Sequence, residues 1–481
     1  MILQIEGDIN RTYCQNLCLI FFPGAKFPEG EKLAPDVPCV SLRVYEADES
    51  VFAEATIVAA GRTECGGGKV ILSAEPRRDR AYKRAVGDAV IEAGTKMLGV
   101  SPPWGILTGV RPAKVAAELA ENGCDRATVI DRLISEYRVR PDKAELLADV
   151  HEAEATAVAL AGPDTCSLYV SIPFCPTRCA YCSFVSYATP RYLATLPAYL
   201  DRLCEDIRRV GREIGERGET LTSIYVGGGT PTVLAASQLD RLLSVIREST
   251  SYAKPLEFTV EAGRPDTVTK EKFEVMLAHG VDRTSINPQI LDDEVLRLIG
   301  RRHSVEDFYR AYEIARASGI RSVNTDLIAG LPGATEESFC VTVDRIASLA
   351  PENVTVHTYA VKRSATFTEE AAERGDKRGI YSFTGGVTGA CVDYAQRALK
   401  QNGYRPYYLY RQKNAQGNLE NVGFCRSGYE GLYNILIMEE LQNIYAVGAG
   451  AVTKLLGENG EKIRRIFEPK YTYEYLSKPK A

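Results

Sequence analysis

Between Cys166 and about residue 360, short apolar segments alternate with longer helical ones, and no other feature constrains the fold as much. Six strand candidates stand out: CSLYVSI from Cys166, TSIYVGG from Thr222, LEFTVEA from Leu256, VDRTSIN from Val281, RSVNTDLI from Arg321 and NVTVHTY from Asn353. Each of the first five is followed by a stretch of helical character, for example 193–214, 236–247 and 270–278. Repeated β-α units predict a parallel sheet, because parallel neighbours need a long crossover and a helix supplies it. Six units predict an α/β fold built on an incomplete (β/α)6 barrel. In such sheets the chemistry sits at the carboxyl ends of the strands.

Polar and glycine-rich features fall at those ends in order. SIPFCPTRCAYCSF (Ser171 to Phe184) follows the first strand and GGGTP (Gly227 to Pro231) the second. Glu261 ends the third strand and Gln289 closes the fourth. Asp326 ends the fifth, with GLPG beyond it, and His357 and Tyr359 end the sixth.

Cys175, Cys179 and Cys182 form a Cys-x3-Cys-x2-Cys group. Structural zinc wants four closed ligands, and neither a histidine nor a fourth cysteine lies nearby. Cys179 and Cys182 alone have redox-pair spacing, but on a loop after a strand rather than at a helix start. Three thiolates on one loop suit three irons of a four-iron cluster, leaving one iron open to an outside ligand. Buried, inert thiols are the bland alternative.

In these residues the chain resembles the radical S-adenosylmethionine enzymes. LYVSIPFCPTRCAYCSF, GGGTP, NTDLIAGLPG and the GRRH at Gly300 to His303 resemble the oxygen-independent coproporphyrinogen III oxidase group. PWGILTGVRPAK, PYYLYRQKN and YNILIMEE resemble its HemZ-type coproporphyrinogen dehydrogenase branch. The resemblance implies that Cys175, Cys179 and Cys182 hold a 4Fe-4S cluster whose open iron binds S-adenosylmethionine. One-electron reduction would then yield a 5'-deoxyadenosyl radical. That radical would take a hydrogen from each of two propionates of coproporphyrinogen III; loss of carbon dioxide, and of one electron per propionate to an acceptor, would then give the two vinyls of protoporphyrinogen IX. A flavodoxin or ferredoxin would donate the electron.

The resemblance also implies roles by position. Tyr169 matches a tyrosine at the methionyl carboxylate, and Tyr181 an aromatic beside the ligand. Gly228, Gly229 and Thr230 bring backbone to the ligand's amino group. Glu261 matches a carboxylate that pairs with the ligand. Gln289, Arg301 and Asp326, with Ala360 for shape, match the site of a second S-adenosylmethionine; Arg302 adjoins Arg301 as an alternative. One or two S-adenosylmethionine molecules are therefore expected. Phe184 stands where the resembled oxidase carries a fourth cysteine. A sister group of heme chaperones carries a His-Asn-x-x-Tyr-Trp motif. Here the matching stretch is LYNILIM (Leu432 to Met438), with Tyr433 in place of the histidine and no tryptophan. Heme carriage is the alternative function, and heme-ring methylation a third.

Flanking regions and charge bound the rest. Residues 1–160 read as an α+β domain, 161–390 as the partial barrel and 391–481 as a mixed extension or lid. Residues up to about 60 look strand-rich, three helices fill the span from about Ala113 to Ala161, and Asp125 is placed to cap the middle one. The glycines at 66–68 read as a strand-to-strand turn rather than a phosphate cradle. A net charge of -5 argues against a nucleic-acid partner. No basic-then-apolar leader and no apolar run of about 18 residues is seen, so a cytoplasmic protein without a membrane span is expected. Thirteen cysteines are then reduced thiols or metal ligands.

Overall fold

A computed structural model describes residues 1–28, 37–75, 77–182, 184–360, 386–412, 415–457 and 462–479. The chain divides into two compact units. The first holds Met1–His151, the described part of Ala371–Ala390, and Leu409–Asn421. The second holds the described residues of Glu152–Glu370, Cys391–Tyr408 and Val422–Ala481.

In the first unit, β1 (Ile2–Glu6), β2 (Cys39–Ala47), β3 (Ser50–Ala59) and β4 (Arg62–Ile71) form one sheet in that order. β1 runs parallel to β2, and the other pairs are hairpins. Both hairpin turns place two residues at positive φ, Asp48 with Glu49 and Ala60 with Gly61, which matches the strands' right-handed twist. The strand-rich expectation for this region missed helix α1 (Arg11–Phe21), which buries Cys14, Leu17, Cys18, Ile20 and Phe21 on one face. The three glycines are not a turn. They lie inside β4, where Cβ atoms on Gly66 and Gly68 would sit 2.2 Å and 2.0 Å from carbonyl oxygens of helix α2 (Arg78–Leu98). Helices α3 (Ala113–Glu121), α4 (Arg126–Tyr137) and α5 (Pro141–Val158) follow, with Asp125 accepting from Thr128 N at the start of α4.

A buried ion pair sits in this unit. Lys143 Nζ lies 2.6 Å from Glu420 Oε1, both side chains fully buried, and Trp104 Nε1 donates to Glu420 Oε2 at 2.9 Å. Removing one partner of such a pair leaves a charge in a low-dielectric interior. Lys143→Met is therefore expected to destabilise this unit by about 3–5 kcal/mol. A lowered denaturation midpoint, followed by Trp104 fluorescence, checks this.

The second unit carries the β-α array. Its strands and helices are β5 (Thr165–Ile172), α6 (Pro190–Leu193), α7 (Leu196–Arg217), β6 (Thr220–Gly228), α8 (Ala236–Ser249), β7 (Glu257–Glu261), α9 (Lys270–Ala278), β8 (Arg283–Ser285), α10 (Asp293–Leu298), α11 (Val305–Ser318), β9 (Ser322–Ala329), α12 (Glu336–Leu349) and β10 (Asn353–Thr358). β5 to β10 pair in parallel in chain order, as the rhythm predicts. Beyond them come α13 (Gly386–Gln401), β11 (Arg405–Arg411), β12 (Glu420–Cys425), α14 (Leu432–Glu439), β13 (Asn443–Val447), β14 (Val452–Leu455), β15 (Arg464–Phe467) and α15 (Thr472–Ser477). This C-terminal chain is more than a lid, because it extends the sheet. β13 runs parallel to β5, β14 and β15 follow it, and β12 pairs antiparallel with β10. Among the described residues the sheet runs from β11 to β15 without a closing pair.

The two faces of β5–β10 differ sharply. One carries Leu168, Val170, Ile224, Val226, Phe258, Val260, Val323, Leu327, Val354 and Val356, all buried. The opposite face carries Tyr169, Tyr225, Glu261, Ser285, Asn324, Asp326, Thr355 and His357, at alternating positions of the same strands. Neighbouring strands bond across it, in register from Ser167 to Ser223 at 2.7 Å and diagonally from Ser322 to Asn353 at 2.9 Å and from Thr355 to Asn324 at 3.0 Å. Parallel strands buried on both faces are normally apolar on both. A polar inner face spanning six strands is the mark of a lumen built to receive polar groups.

Candidate functional site

The cysteine loop leaves β5 and is pinned at several points. Cys175 N donates to Tyr187 O at 3.1 Å, and Tyr187 N to Pro173 O at 2.9 Å. Cys182 N donates to Cys179 O at 3.1 Å. Ala180 N donates to Ile299 O at 3.0 Å, tying the loop to the residues before GRRH. Cys179 is buried, while Cys175 and Cys182 are half-buried. Burial pushes the Cys175 thiol up to about 11, and burial with the neighbouring Cys179 raises Cys182. Such thiols become thiolates when metal binds and displaces the protons.

Among the described residues, no three His, Cys, Asp or Glu side chains are spaced to hold a single metal ion. A four-iron cluster takes each thiolate on a different iron and so needs the sulfurs farther apart. The donor set is soft, on one loop and short of a fourth ligand, which fits the cluster and not closed zinc.

The second strand end meets this loop. Gly228 has φ +110°, and a Cβ on Gly229 would stand 2.6 Å from Phe174 O, so neither position accepts a side chain without strain. Gly229 N and Thr230 N donate to Ile172 O and Phe174 O, and Thr230 Oγ1 reaches Cys175 Sγ at 3.4 Å.

A chain of hydrogen bonds runs on to the fifth and sixth strands. Arg301 is buried and donates from Nε to Tyr181 Oη at 3.2 Å, and from Nη1 to Asn287 O at 2.7 Å and Gly263 O at 3.2 Å. Arg302 is exposed, which separates the two candidates. Asn287 and Asn324 each donate to Asp326 at 2.7 Å, and His357 Nε2 lies 3.8 Å from it. Burial pushes the Asp326 carboxyl up, but His357, Asn324 and Thr355 more than offset this and leave it below its usual range. Gln289 is buried at φ +67°, with its side-chain Oε1 unpartnered. The strained backbone is held in place on both sides, Gln289 N donating to Asp326 O at 3.0 Å and Ile328 N to Gln289 O at 2.9 Å. Ala360 is buried two residues past β10, beside Tyr359, whose N donates to Ala329 O.

On the first three strands, Tyr169 and Tyr225 stack at 6.1 Å, and Tyr433 of α14 stacks on Tyr225 at 4.5 Å and on Tyr169 at 6.1 Å. Tyr225 Oη donates to Glu261 Oε1 at 2.5 Å. Burial pushes the Glu261 carboxyl up to about 7, against the Tyr225 hydrogen bond that lowers it, with Asp326 adding to the rise. Thus Glu261 and Asp326, from strands three and five, share one field. The candidates are brought together by this structure in two linked groups, one around Arg301 and Asp326 and one around Glu261.

Sequence reasoning missed Tyr225, Asn287, the stacking of Tyr433 and the buried Arg264, whose Nη1 lies 3.8 Å from Cys179 Sγ. Tyr225 had a signal, since it pairs in register with Tyr169 at the same depth of the array. Asn287 sits two residues before Gln289, just past the fourth strand. Arg264 had only a weak one, a charge just after a strand-ending glutamate. Tyr433 is more than 170 residues from its partners and left none.

Residues 169–346 match the radical SAM superfamily. The chain is 34% identical to the oxygen-independent coproporphyrinogen-III oxidase-like protein HemZ of Bacillus subtilis, over 99% of this chain and 95% of that one. It belongs to this HemZ-type family of radical SAM proteins. Membership brings a 4Fe-4S cluster and S-adenosylmethionine as cofactors. The solved structure of coproporphyrinogen III oxidase (HemN) from Escherichia coli, a radical SAM enzyme, superposes with a TM-score of 0.52 at 26% identity, covering 68% of this chain and 71% of that one. The heme chaperone HemW of Lactococcus lactis is 31% identical over 60% of this chain and 70% of its own. Among the described residues, no helix is long and apolar enough to cross a membrane.

Proposed function

We propose that the protein is a cytoplasmic enzyme that converts two propionates of coproporphyrinogen III to vinyls without oxygen, giving protoporphyrinogen IX. The observation that carries this reading is the three-thiol loop at the polar end of a parallel sheet, in a chain similar over 99% of its length to an oxidase-like protein. When bound, the cluster and S-adenosylmethionine supply hydrogen-atom abstraction at unactivated carbon. Cys175, Cys179 and Cys182 hold the cluster on a loop fixed from both ends. Tyr169 and Glu261 orient the ligand's carboxylate and cationic groups, and Gly228, Gly229 and Thr230 admit its amino group. Tyr181 provides an aromatic face. Gln289, Arg301 and Asp326 form the further polar wall and Ala360 shapes it, matching the second S-adenosylmethionine site of the resembled oxidase. A flavodoxin or ferredoxin supplies electrons in this reading.

Heme carriage is the second reading, favoured by the likeness to HemW. Against it stands Tyr433, which occupies the position of the chaperone's histidine. Tyr433 is 5% exposed and its ring packs against both Tyr169 and Tyr225, so burial and stacking occupy the side chain at the position of the chaperone's histidine. Titration of anaerobically purified protein with heme is expected to show no stoichiometric binding, whereas incubation with coproporphyrinogen III, S-adenosylmethionine and dithionite yields vinyl product. Stoichiometric heme binding without turnover would reverse the order of the two readings.

A further inference from the structure

We infer that Arg264 sets the reduction potential of the cluster, by holding an N–H donor on the Cys179 sulfur. This rests on the cluster assigned to Cys175, Cys179 and Cys182. Arg264 follows β7 by three residues and is 3% exposed. Its Nη1 donates to Cys179 Sγ at 3.8 Å and to Thr177 O at 3.2 Å, and its Nη2 to Thr177 Oγ1 at 2.9 Å. On its other side Asp266 accepts from Nε and Nη2, both at 3.0 Å. The guanidinium therefore spans from a carboxylate to the middle sulfur of the triplet.

Its backbone is fixed as well. Thr267 Oγ1 donates to Arg264 O at 2.8 Å, and Lys272 Nζ ties Thr267 O to Thr232 O. A buried arginine held this way costs little reorganisation when charge changes beside it. An electron added at the site increases the negative charge on the thiolates, and a donor already aimed at one of them stabilises that state. Hydrogen bonds to the sulfurs are among the levers that set iron–sulfur potentials.

Asp266 gives the assignment a second, opposite sign. Its carboxylate neutralises the guanidinium and is itself about a quarter exposed. Removing the arginine withdraws a donor and a cation, so the reduced state is disfavoured. Removing the charge of Asp266 leaves the cation unbalanced, so the reduced state is favoured. A strap that only braced the Thr177 turn would move both variants the same way, toward cluster loss.

The test is potentiometric titration of the full chain, anaerobically reconstituted with iron and sulfide and followed by electron paramagnetic resonance, without substrate. Arg264→Gln is expected to lower the potential by at least tenfold in the reduction equilibrium, about 59 mV for a one-electron couple. Asp266→Asn is expected to raise it, and Arg264→Lys to fall between wild type and Arg264→Gln. An unchanged potential in Arg264→Gln, or a downward shift in Asp266→Asn, overturns the inference. If Arg264→Gln takes up no cluster, Asp266→Asn decides alone by its sign. Wild type that takes up no cluster would instead sink the functional reading itself.

Discussion

Cys179→Ala is expected to leave no measurable protoporphyrinogen or 5'-deoxyadenosine and to yield protein with depleted iron and sulfide. Loss of a group that merely supports a metal ligand costs about 10–100-fold in metal affinity or activity. Cys179 is one of only three thiolates available to hold the cluster. Its replacement exceeds that loss, because two thiolates on a loop leave two irons unheld. The buried position also gives water no easy route to substitute for the sulfur. Cys65→Ala is the control: that thiol is exposed on β4, in the other unit, and its loss leaves iron content and product formation unchanged. Iron and sulfide analysis beside product chromatography reads both arms. Full cluster content in Cys179→Ala would remove the triplet from the account.

Glu261→Gln is expected to act in opposite directions on binding and on stability. In ligand-free protein the carboxyl is pushed from its ordinary 4.5 to about 7, chiefly by burial. A raised carboxyl favours its neutral form in the fold. Its stabilising contribution is thus complete below about pH 4.5 and is lost as pH rises through about 7. The full shift corresponds to at most about 3 kcal/mol, and to less because the side chain is only half-buried. Glutamine escapes this loss. The variant is therefore expected to match wild type at pH 5 and to melt a few degrees higher at pH 8. A cationic ligand recovers the charged carboxylate, so binding behaves the other way. The variant is expected to bind S-adenosylmethionine at least about tenfold more weakly at pH 8, since breaking a desolvated charge pair costs roughly 2–5 kcal/mol. Thermal melts at both pH values and equilibrium dialysis measure the two effects. Equal melting differences at pH 5 and pH 8 would show that Glu261 does not titrate between them.

Much of this was legible before any coordinates, and the reasons differ by element. The six parallel strands could be read because each lies between a helix and a loop of contrasting composition. The strand ends could be read because polar residues interrupt apolar runs there. The polar inner face is equally present in the sequence, in alternations such as Ser167, Tyr169 and Ser171, but alternation within one strand does not say which strands share a face. Helix α1 was missed because it is only 11 residues long and flanked by strands. The glycines of β4 misled because their cause lies in α2, a contact that no local rule contains. The C-terminal strands were hidden for a similar reason. The Gly/Ala-rich YAVGAGAV holds a strand only because β5 offers Tyr445 a parallel partner in Leu168. Arg264 and Tyr433 complete the pattern, since their meaning comes from partners far away in sequence.

The stoichiometry of the reaction separates propionate decarboxylation from every other use of the radical. Wild type, reconstituted under anaerobic conditions, would be supplied with coproporphyrinogen III, excess S-adenosylmethionine and dithionite. Product, 5'-deoxyadenosine and carbon dioxide would be counted together. Two propionates each lose one hydrogen atom, one carbon dioxide and one electron, the electron passing to an added one-electron acceptor, so two molecules of 5'-deoxyadenosine and two of carbon dioxide are expected per protoporphyrinogen formed. Formation of 5'-deoxyadenosine with no vinyl product and no carbon dioxide, in protein with a full cluster, would contradict the account and point to a different substrate.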